Sequence, residues 1–360
     1  MSTQISPESS RAIPVKLPNV DAGAGAQVPP PAAVLTQMAF GALLTQALYV
    51  AARLGIADLL AKGPRPVAEL AVETETHERS LYRVLRSLAG AGVFAEVAPQ
   101  TFGLTPLAEP LRADAPGSLR NGLIFMGEEW HFNVWGNMMH SVRTGQPAWA
   151  QTHGAEVFEY FAANPEHAEI FNGAMTDMSV GTAPAVVEAY DFSEFGTLAD
   201  IAGGHGYLLA QILKANPKLS GVLFDVAPVV EGAAALLERE GVSARVERVP
   251  GNFFESVPRA DAYIMKHIIH DWDDERAALI LKNINAAMDE DGCVLIVETV
   301  VPDGNEPHYS KVLDLEMLTS PGGIERTADE YAALLSDAGL KLSRIVPTAS
   351  PYSIIEAVRA

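Results

Sequence analysis

The chain has 360 residues, of which 48% are hydrophobic, and a formal net charge of −20 at pH 7. That length suffices for two domains and a large core, while the acidic balance disfavours nucleic acid and anionic membranes as partners, because both attract Lys and Arg. The single cysteine, Cys293, excludes an intrachain disulfide, lies in an apolar run typical of a buried strand and fits a reducing cytoplasm.

The N-terminal part of the chain combines a polar tail with a long apolar stretch. The first 30 residues are rich in Ser, Pro, Gly and Ala and lack an apolar signal segment, so we expect a disordered tail there. From Val34 to Leu60 apolar residues recur at helical spacing, and four polar or charged interruptions favour buried helices over a membrane span. Because the pattern is apolar on more of its circumference than one core needs, we expect it to pack against another chain as well.

The next segments follow the order of a winged helix-turn-helix, namely a helix, a second helix and a small hairpin. They are Pro66–Leu70, Ser80–Leu88 and the run between residues 92 and 105. A DNA-binding regulator is one interpretation, but its recognition helix would offer only Arg79, Arg83 and Arg86 in an acidic chain. The pattern therefore favours a dimerisation domain, with boundaries at residues 31 and 116.

Residues 117–182 predict helices rich in aromatic and methionine side chains, at the start of a second domain that extends to residue 360. Helix core is the simpler interpretation of these side chains. The alternative is an apolar pocket for a flat ring, with Trp135, Met175 and Met178 as candidate lining residues.

From Leu198 onward short apolar strands alternate with helical patterns, which predicts a doubly wound parallel sheet. The predicted strands are Leu198–Ile201, Gly221–Asp225, Arg245–Val249, Ala262–Met265, Val294–Glu298, Leu340–Ile345 and Ser353–Val358. The last two follow each other across a short Pro-containing link, so we expect them to form an antiparallel hairpin that closes the sheet.

The stretch Leu198–Leu209 combines the first of these strands, three glycines and the start of a helix. Gly203, Gly204 and Gly206 allow positive φ and a close approach of the backbone to a ligand. Position 209 is Leu, whereas a dinucleotide fingerprint needs Gly there. The stretch therefore predicts a ligand loop preceded by Asp200, but not a standard NAD site.

Polar residues also follow or end the other strands, at the edge of the sheet where ligands bind. Asp225 can accept hydrogen bonds from both hydroxyls of a ribose, or it can cap the helix that follows. Asn252 can meet an adenine edge or simply form a turn. Lys266 follows the fourth strand and Glu298 closes the fifth.

His270 is the candidate general base, because a histidine can take a proton from a phenol at neutral pH. The alternatives are a structural or capping histidine and a metal ligand paired with His267, although this spacing is not that of an H-E-x-x-H zinc helix. Glu325 precedes a capping box that begins at Thr327. It can orient the imidazole, or it can be a solvated loop acid.

These residues resemble the S-adenosylmethionine-dependent O-methyltransferases of the caffeic acid and acetylserotonin type, which include bacterial polyketide and hydroxyneurosporene enzymes. The resemblance covers about residues 33 to 358. Its motifs occur in order: Asp200–Gly206, Phe224–Asp225, Gly251–Phe254, Lys266 with His270–Trp272, Glu298 and Pro321–Thr327. It implies the class I methyltransferase fold, a mostly parallel seven-stranded α/β sheet with a terminal antiparallel hairpin, plus an N-terminal winged-helix dimerisation domain.

The resemblance also implies S-adenosylmethionine as cofactor, no metal, a small aromatic acceptor with a hydroxyl, and a homodimer. His270 is then the general base, with Glu298 and Glu325 flanking and orienting it. The loop from Gly203 to Gly206 approaches the methionine part of the cofactor, and Asp225 holds the ribose. The implied cofactor residues are Asp200, Gly203, Gly204, Gly206, Asp225, Asn252, Phe253 and Lys266. The implied acceptor-pocket residues are Trp135, Met175, Met178, Asp271 and Met317.

The chain departs from the family pattern at two positions. Ala202 stands where the loop usually has its first glycine, which is a small change if its φ is negative. Asn252 stands where Asp is usual, so it keeps one acceptor but loses the charge. Two other functions stay open: use of the bound cofactor for decarboxylation or hydroxylation, and a ligand-sensing winged-helix regulator without enzymatic activity.

Overall fold

A computed structural model describes residues 29–360, so the tail predicted for residues 1–30 lies outside the described residues except for its last two. These residues form two compact units. The N-terminal unit comprises residues 29–136 and 161–178, and the sheet unit comprises residues 137–160 and 179–360.

The N-terminal unit consists of helices and a small three-stranded sheet. Its helices are α1 (Pro31–Arg53), α2 (Ile56–Leu59), α3 (Val67–Glu73), α4 (Glu78–Gly90), α5 (Arg120–Gly127) and α6 (Glu129–Gly136). Its strands are β1 (Arg65–Pro66), β2 (Phe94–Ala98) and β3 (Thr101–Leu104), in the order β1-β3-β2. The succession α3, α4 and the β2–β3 hairpin agrees with the winged-helix order predicted from the sequence.

The apolar stretch predicted as helical from Val34 to Leu60 is interrupted at Gly55. This residue has φ of 64°, in the left-handed region that glycine adopts without steric penalty, and it separates α1 from α2. The expectation of buried helices fails for the first half of α1. Its exposed apolar side chains, between 41% and 66% accessible, are Leu35, Met38, Phe40 and Leu43. By length and a mean hydropathy of 1.4, α1 is also the one helix within residues 29–360 that could cross a membrane.

The segment predicted to be helical after residue 117 is helical, and it leads into the sheet. Beyond α5 and α6 it contains α7 (Met138–Thr144), α8 (Ala148–His153), α9 (Val157–Ala163) and α10 (Pro165–Ala189). The later helices are α11 (Tyr207–Ala215), α12 (Ala227–Gly232), α13 (Ala234–Arg239), α14 (Asp274–Ala287), α15 (Tyr309–Thr319) and α16 (Ala328–Asp337).

The sheet unit is organised around seven strands in the order β6-β5-β4-β7-β8-β10-β9. They are β4 (Thr197–Ile201), β5 (Ser220–Asp225), β6 (Val246–Pro250), β7 (Ala262–Lys266), β8 (Cys293–Glu298), β9 (Leu340–Pro347) and β10 (Ser353–Arg359). The first five are parallel, whereas β10 pairs antiparallel with both β8 and β9. The predicted α/β fold and its closing hairpin are therefore confirmed, and every residue of β8 is buried because a parallel sheet is covered on both faces.

Candidate active site

Four of the polar residues singled out in the sequence end, or nearly end, four neighbouring parallel strands. Asp225, Lys266 and Glu298 are the last residues of β5, β7 and β8, and Asp200 is the last but one of β4. Because these strands are adjacent and parallel, their carboxyl ends meet at one edge of the sheet. The structure therefore brings the candidate residues to one place.

The glycine loop after β4 is held against the end of β5. The backbone N–H of Gly204 donates to Asp225 Oδ2 at 2.9 Å, and that of Val226 donates to Asp225 Oδ1 at 2.7 Å. A Cβ atom at Gly203 would lie 2.6 Å from both Asp200 Cγ and Leu223 Cδ1. Glycine is thus required at position 203 by close packing, and the Asp225 carboxylate is oriented while each oxygen keeps a further lone pair for a ligand.

Ala202 opens this loop with φ of 54°, so the condition under which its replacement of glycine would be a small change is not met. The left-handed region brings the Cβ of an L-residue too close to its own carbonyl, at a cost of about 1–2 kcal/mol. The Ala202 N–H donates to Phe224 O at 2.7 Å, which pins the residue in this conformation. Backbone strain is therefore stored at the start of the candidate cofactor loop.

Asp200, which is buried, and Lys266, which is partly buried, are ionisable groups on the neighbouring strands β4 and β7. Asp200 is 2% exposed, and its Oδ2 has no hydrogen-bond partner among the described residues. Burial raises the pKa of Asp200 to about 7, the Lys266 charge opposes this rise, and Asp225 adds to it. Burial likewise lowers the pKa of Lys266 to about 8 against the support of Asp200, Asp271 and Glu298. A cationic ligand group beside Asp200 would offset its desolvation.

Asn252 forms a turn within its own loop. Its Oδ1 accepts from Phe254 N at 3.0 Å, and its Nδ2 donates to Glu255 Oε1 at 3.2 Å. The neighbouring ring of Phe253 packs at 6.0 Å from that of Trp272, between ring centroids. The turn interpretation of Asn252 thus matches the structure, and an adenine contact by this side chain would require it to give up these hydrogen bonds.

His270 lies in a short 3₁₀ turn, Ile269–Asp271, that follows β7, and it is 4% exposed. Its Nδ1 lies 2.5 Å from Glu325 Oε1. The hydroxyl of Thr299 donates to the other carboxylate oxygen of Glu325. Glu325 is therefore a buried partner of the imidazole and not a solvated loop acid.

Glu298 orients His270 through the main chain and not from beside the ring. Its Oε1 accepts the backbone N–H groups of Ile268, Ile269 and His270 at 3.1, 2.7 and 3.1 Å. Its Oε2 accepts from the hydroxyl of Tyr331 at 2.5 Å. Glu298 is accordingly a positioning residue for the turn that carries His270.

Arg326 is a buried part of the site that the sequence analysis did not identify. It is 1% exposed and donates to Ile269 O at 3.1 Å, Trp272 O at 2.9 Å and Asp274 Oδ1 at 2.8 Å. Nothing in the helical or strand periodicity marks an arginine in a loop as buried. Arg326 thus holds the turn through two of its carbonyl groups, whereas Glu298 holds it through its N–H groups.

Carboxylates surround His270 and set its charge. Burial alone would lower its pKa, but Asp271, the hydrogen bond to Glu325 and the charge of Glu298 together raise the pKa of His270 to about 9. Asp271 Oδ1 lies 3.6 Å from His270 Nε2, and burial raises the pKa of Asp271 to about 7. The imidazolium form is thus stabilised before any ligand binds.

His267 has φ of 58° and is 7% exposed. Its ring centroid lies 4.4 Å from that of Tyr352 and 5.2 Å from that of His270. Burial and the charges of Lys266 and His270 hold the pKa of His267 well below its usual value, so its ring is neutral. Within residues 29–360, no group of three or more His, Cys, Asp or Glu side chains is arranged to hold a metal ion.

The residues implied for an acceptor pocket are divided between the two units. Asp271 and Met317, which is buried on α15, belong to the sheet unit. Trp135, Met175 and Met178 belong to the N-terminal unit, where the ring of Trp135 packs on those of its neighbours His131 and Phe132. Their role in a pocket therefore stays a prediction.

Comparison with known proteins assigns the family. A sequence profile of the O-methyltransferase domain matches residues 135–341, more than half of the chain, and one of the O-methyltransferase dimerisation domain matches residues 36–114. The phenazine O-methyltransferase PhzM of Lysobacter antibioticus is 46% identical over 91% of this chain and 96% of its own length. The chain belongs to the S-adenosylmethionine-dependent O-methyltransferases.

Two solved structures show the same likeness. The human N-acetylserotonin methyltransferase in complex with S-adenosylmethionine superposes with a TM-score of 0.85, at 26% identity over 94% of this chain and 100% of that one. An O-methyltransferase from neocarzinostatin biosynthesis, in complex with the same cofactor and 2-hydroxy-5-methyl naphthoic acid, has a TM-score of 0.77. It is 33% identical over 88% of this methyltransferase and 96% of that chain.

The residues of this methyltransferase fit the cofactor of its family. S-adenosylmethionine carries two cationic groups, an ammonium and a sulfonium, and a ribose diol. The partnerless buried oxygen of Asp200 suits a cationic group, and the oriented carboxylate of Asp225 suits the diol. The glycine loop between them lets a ligand approach the backbone at the start of α11, whose first residue is Tyr207.

Proposed function

We propose that this methyltransferase methylates a hydroxyl of a small aromatic acceptor, with His270 as the general base. The observation that supports the assignment is the 2.5 Å contact between His270 Nδ1 and Glu325 Oε1. When Nδ1–H is donated to a carboxylate, the neutral ring keeps its lone pair on Nε2. The aromatic acceptor class is supported by the phenazine and hydroxynaphthoic acid in the names of two relatives.

The bound cofactor supplies a methyl group already activated by its sulfonium, so the protein has to hold, orient and desolvate. Asp225 and the loop Gly203–Gly206 would hold the ribose and methionine parts, and Asp200 would face a cationic group. Lys266 ends the strand between those that carry Asp200 and Glu298. Its desolvation is offset by the charges of Asp200, Asp271 and Glu298, so it contributes a positive charge among the carboxylates of this edge.

His270 takes the hydroxyl proton of the acceptor at Nε2 and holds it as an imidazolium paired with Glu325. A phenol has a pKa near 10, so a base with a pKa of about 9 is well matched to it. The same match has a consequence for pH. Only the deprotonated ring is a base, so we expect kcat/KM to rise with pH up to about 9 and to level off above it.

Replacement of His270 tests the assignment. His270→Ala should lower kcat by about 10²–10⁴-fold, the usual contribution of a general base, and should remove the rise of kcat/KM with pH. Calorimetry of His270→Ala should give nearly the same dissociation constant for S-adenosylhomocysteine as calorimetry of the native protein. His77→Ala, a change at an exposed residue of the N-terminal unit, is the matched control and should leave both values unchanged. Near-native turnover of His270→Ala would refute the base assignment.

The mass of the product separates methyl transfer from the other functions that the scaffold allows. Transfer adds one methyl group to the acceptor and releases one S-adenosylhomocysteine per turnover. Decarboxylation or hydroxylation would change the acceptor mass differently, and a ligand-sensing regulator would release no product. The buried pair of His270 and Glu325 favours methyl transfer, because a proton acceptor is needed for that reaction.

We also propose that the methyltransferase is a homodimer. The matched dimerisation domain and the exposed apolar side chains at the start of α1 support this proposal. A second copy of the chain that packs on this face of α1 would bury its exposed apolar side chains. Sedimentation at micromolar concentration should give twice the chain mass of 38.4 kDa, and a monomer would contradict the proposal.

A further inference from the structure

We propose that the hydroxyl of Thr299 is a positioning group for catalysis, because it locks the carboxylate of Glu325 and thereby selects which ring nitrogen of His270 faces the acceptor. The inference rests on the proposed function, since it concerns the same base.

Two consecutive residues at the end of β8 hold the base in two different ways. Glu298, the last residue of β8, receives the backbone N–H groups of the turn that carries His270. Thr299 follows it directly, is 1% exposed and donates to Glu325 Oε2. The first residue places the main chain of the base, and the second places the partner of its ring.

The contact with Thr299 decides how Glu325 can use its two oxygens. The Glu325 side chain is fully buried, so its oxygens cannot turn to water. With Oε2 engaged by the hydroxyl, Oε1 remains for His270 Nδ1. The carboxylate is therefore held at both oxygens, and the imidazole keeps Nδ1 as its donor and Nε2 as its acceptor.

The hydroxyl also tunes the strength of the base. A hydrogen bond to a carboxylate stabilises its charge and makes it a weaker proton acceptor. Removing the hydroxyl would make Glu325 attract the Nδ1 proton more strongly and stabilise the imidazolium of His270. We therefore expect the pH at which His270 loses its proton to rise when Thr299 loses its hydroxyl.

A pair of substitutions isolates the hydroxyl from the shape of the side chain. Thr299→Val removes the hydroxyl and keeps the branched shape, whereas Thr299→Ser keeps the hydroxyl and loses the methyl group. Both leave in place the other titratable and charged groups around the pair. These are Asp271, Glu298, Lys266, His267, Asp314, Arg326 and the tyrosines Tyr309, Tyr331 and Tyr352.

We expect Thr299→Val to lower kcat by about 10–100-fold, the size expected for losing a hydrogen bond to a charged group, and to shift the acid limb of kcat/KM to higher pH. The dissociation constant for S-adenosylhomocysteine should stay within about 3-fold of native, since neither Thr299 nor Glu325 is among the residues assigned to the cofactor. Thr299→Ser should restore kcat and the pH profile to near-native values.

A spectroscopic measurement keeps the proposal testable apart from turnover. ¹⁵N NMR of the ligand-free protein should show His270 protonated at Nδ1 in its neutral form, and its titration should move to higher pH in Thr299→Val. Native kcat and an unshifted profile in Thr299→Val would overturn the proposal. So would equal losses in the Val and Ser variants, because the effect would then not be specific to the hydroxyl.

Failure of the proposed function would look different. If His270→Ala were as active as the native protein, the base assignment would fall whatever the Thr299 variants did. The NMR titration would then still report whether Thr299 controls the ring of His270.

Discussion

Two regions at the same edge of the sheet are built in opposite ways. In the turn that carries His270, three N–H groups converge on Glu298 and two carbonyls are taken by Arg326. At the end of β4, by contrast, Asp200 is buried with a partnerless oxygen, and Ala202 is held in a strained conformation. The base turn is complete without a ligand, whereas the cofactor loop is not.

The difference indicates where the binding energy of the cofactor is used. A base has to be in position before the reaction, so the residues around it form their hydrogen bonds without a ligand. A loop that contacts the cofactor can leave polar groups unsatisfied, because the ligand then offers them a partner. Substitutions in the two regions should therefore affect the ligand-free protein in opposite directions.

The largest effect on stability should follow from removing Glu298. Glu298→Ala leaves three backbone N–H groups and the hydroxyl of Tyr331 without their acceptor, which should lower the free energy of unfolding by about 3–5 kcal/mol. Glu298→Gln keeps one acceptor oxygen and should lose clearly less. Urea denaturation of the ligand-free protein measures both, and equal stability of the Ala variant and the native protein would contradict a preorganised turn.

Replacing Asp200 should instead raise the free energy of unfolding of the ligand-free protein. Its pKa is raised to about 7 in the folded protein, above about 3.9 in an unfolded chain, so the folded state binds its proton more tightly. Asp200 therefore costs stability increasingly from pH 4 to pH 7, and the full cost persists above pH 7. Asp200→Asn should remove this cost, although Lys266 loses the support of the carboxylate and offsets part of the gain.

Thermal and urea unfolding at pH 4 and pH 8 would check this prediction. The Asn variant should be more stable than native at pH 8 without cofactor and should bind S-adenosylmethionine at least about 10-fold more weakly. Asp261→Asn is the matched control, because that carboxylate already accepts the N–H groups of Gly196 and Thr197 and its loss should destabilise. A destabilised Asp200→Asn at pH 8 would remove the contrast between the two regions.

The contrast also explains which features the sequence could predict. The strands β4 to β10 lie within two residues of their predicted bounds, because short apolar runs that end in polar residues are local signals. Asp200, Asp225, Lys266 and Glu298 could be found because the carboxyl ends of parallel strands share an edge. Gly55 is a local signal for the break between α1 and α2, but the sequence prediction did not use it.

The remaining features depend on contacts between residues that are distant in the chain. Arg326 reaches the carbonyl of Ile269, 57 residues away, and Thr299 reaches Glu325, 26 residues away. Neither partnership leaves a periodic pattern. The positive φ of Ala202 is set by its hydrogen bond to β5, and alanine by itself predicts the opposite sign.

The smallest effect should come from Ala202→Gly. Glycine relieves about 1–2 kcal/mol of left-handed strain but adds about 0.4–1 kcal/mol of conformational freedom to the unfolded chain, so we expect a net gain of between about 0 and 1.6 kcal/mol in unfolding free energy. Gln100→Gly, at an exposed turn with φ of 56°, is the matched control and should gain a similar amount without changing cofactor affinity. If the strain at Ala202 is relieved when the cofactor binds, Ala202→Gly should weaken affinity for S-adenosylhomocysteine by about 5–30-fold, since only the free state gains the relieved strain of about 1–2 kcal/mol. If the strain persists in the complex, affinity should be unchanged, and the incompleteness of this loop would then lie in Asp200 alone. A loss of stability in Ala202→Gly would contradict the left-handed conformation itself.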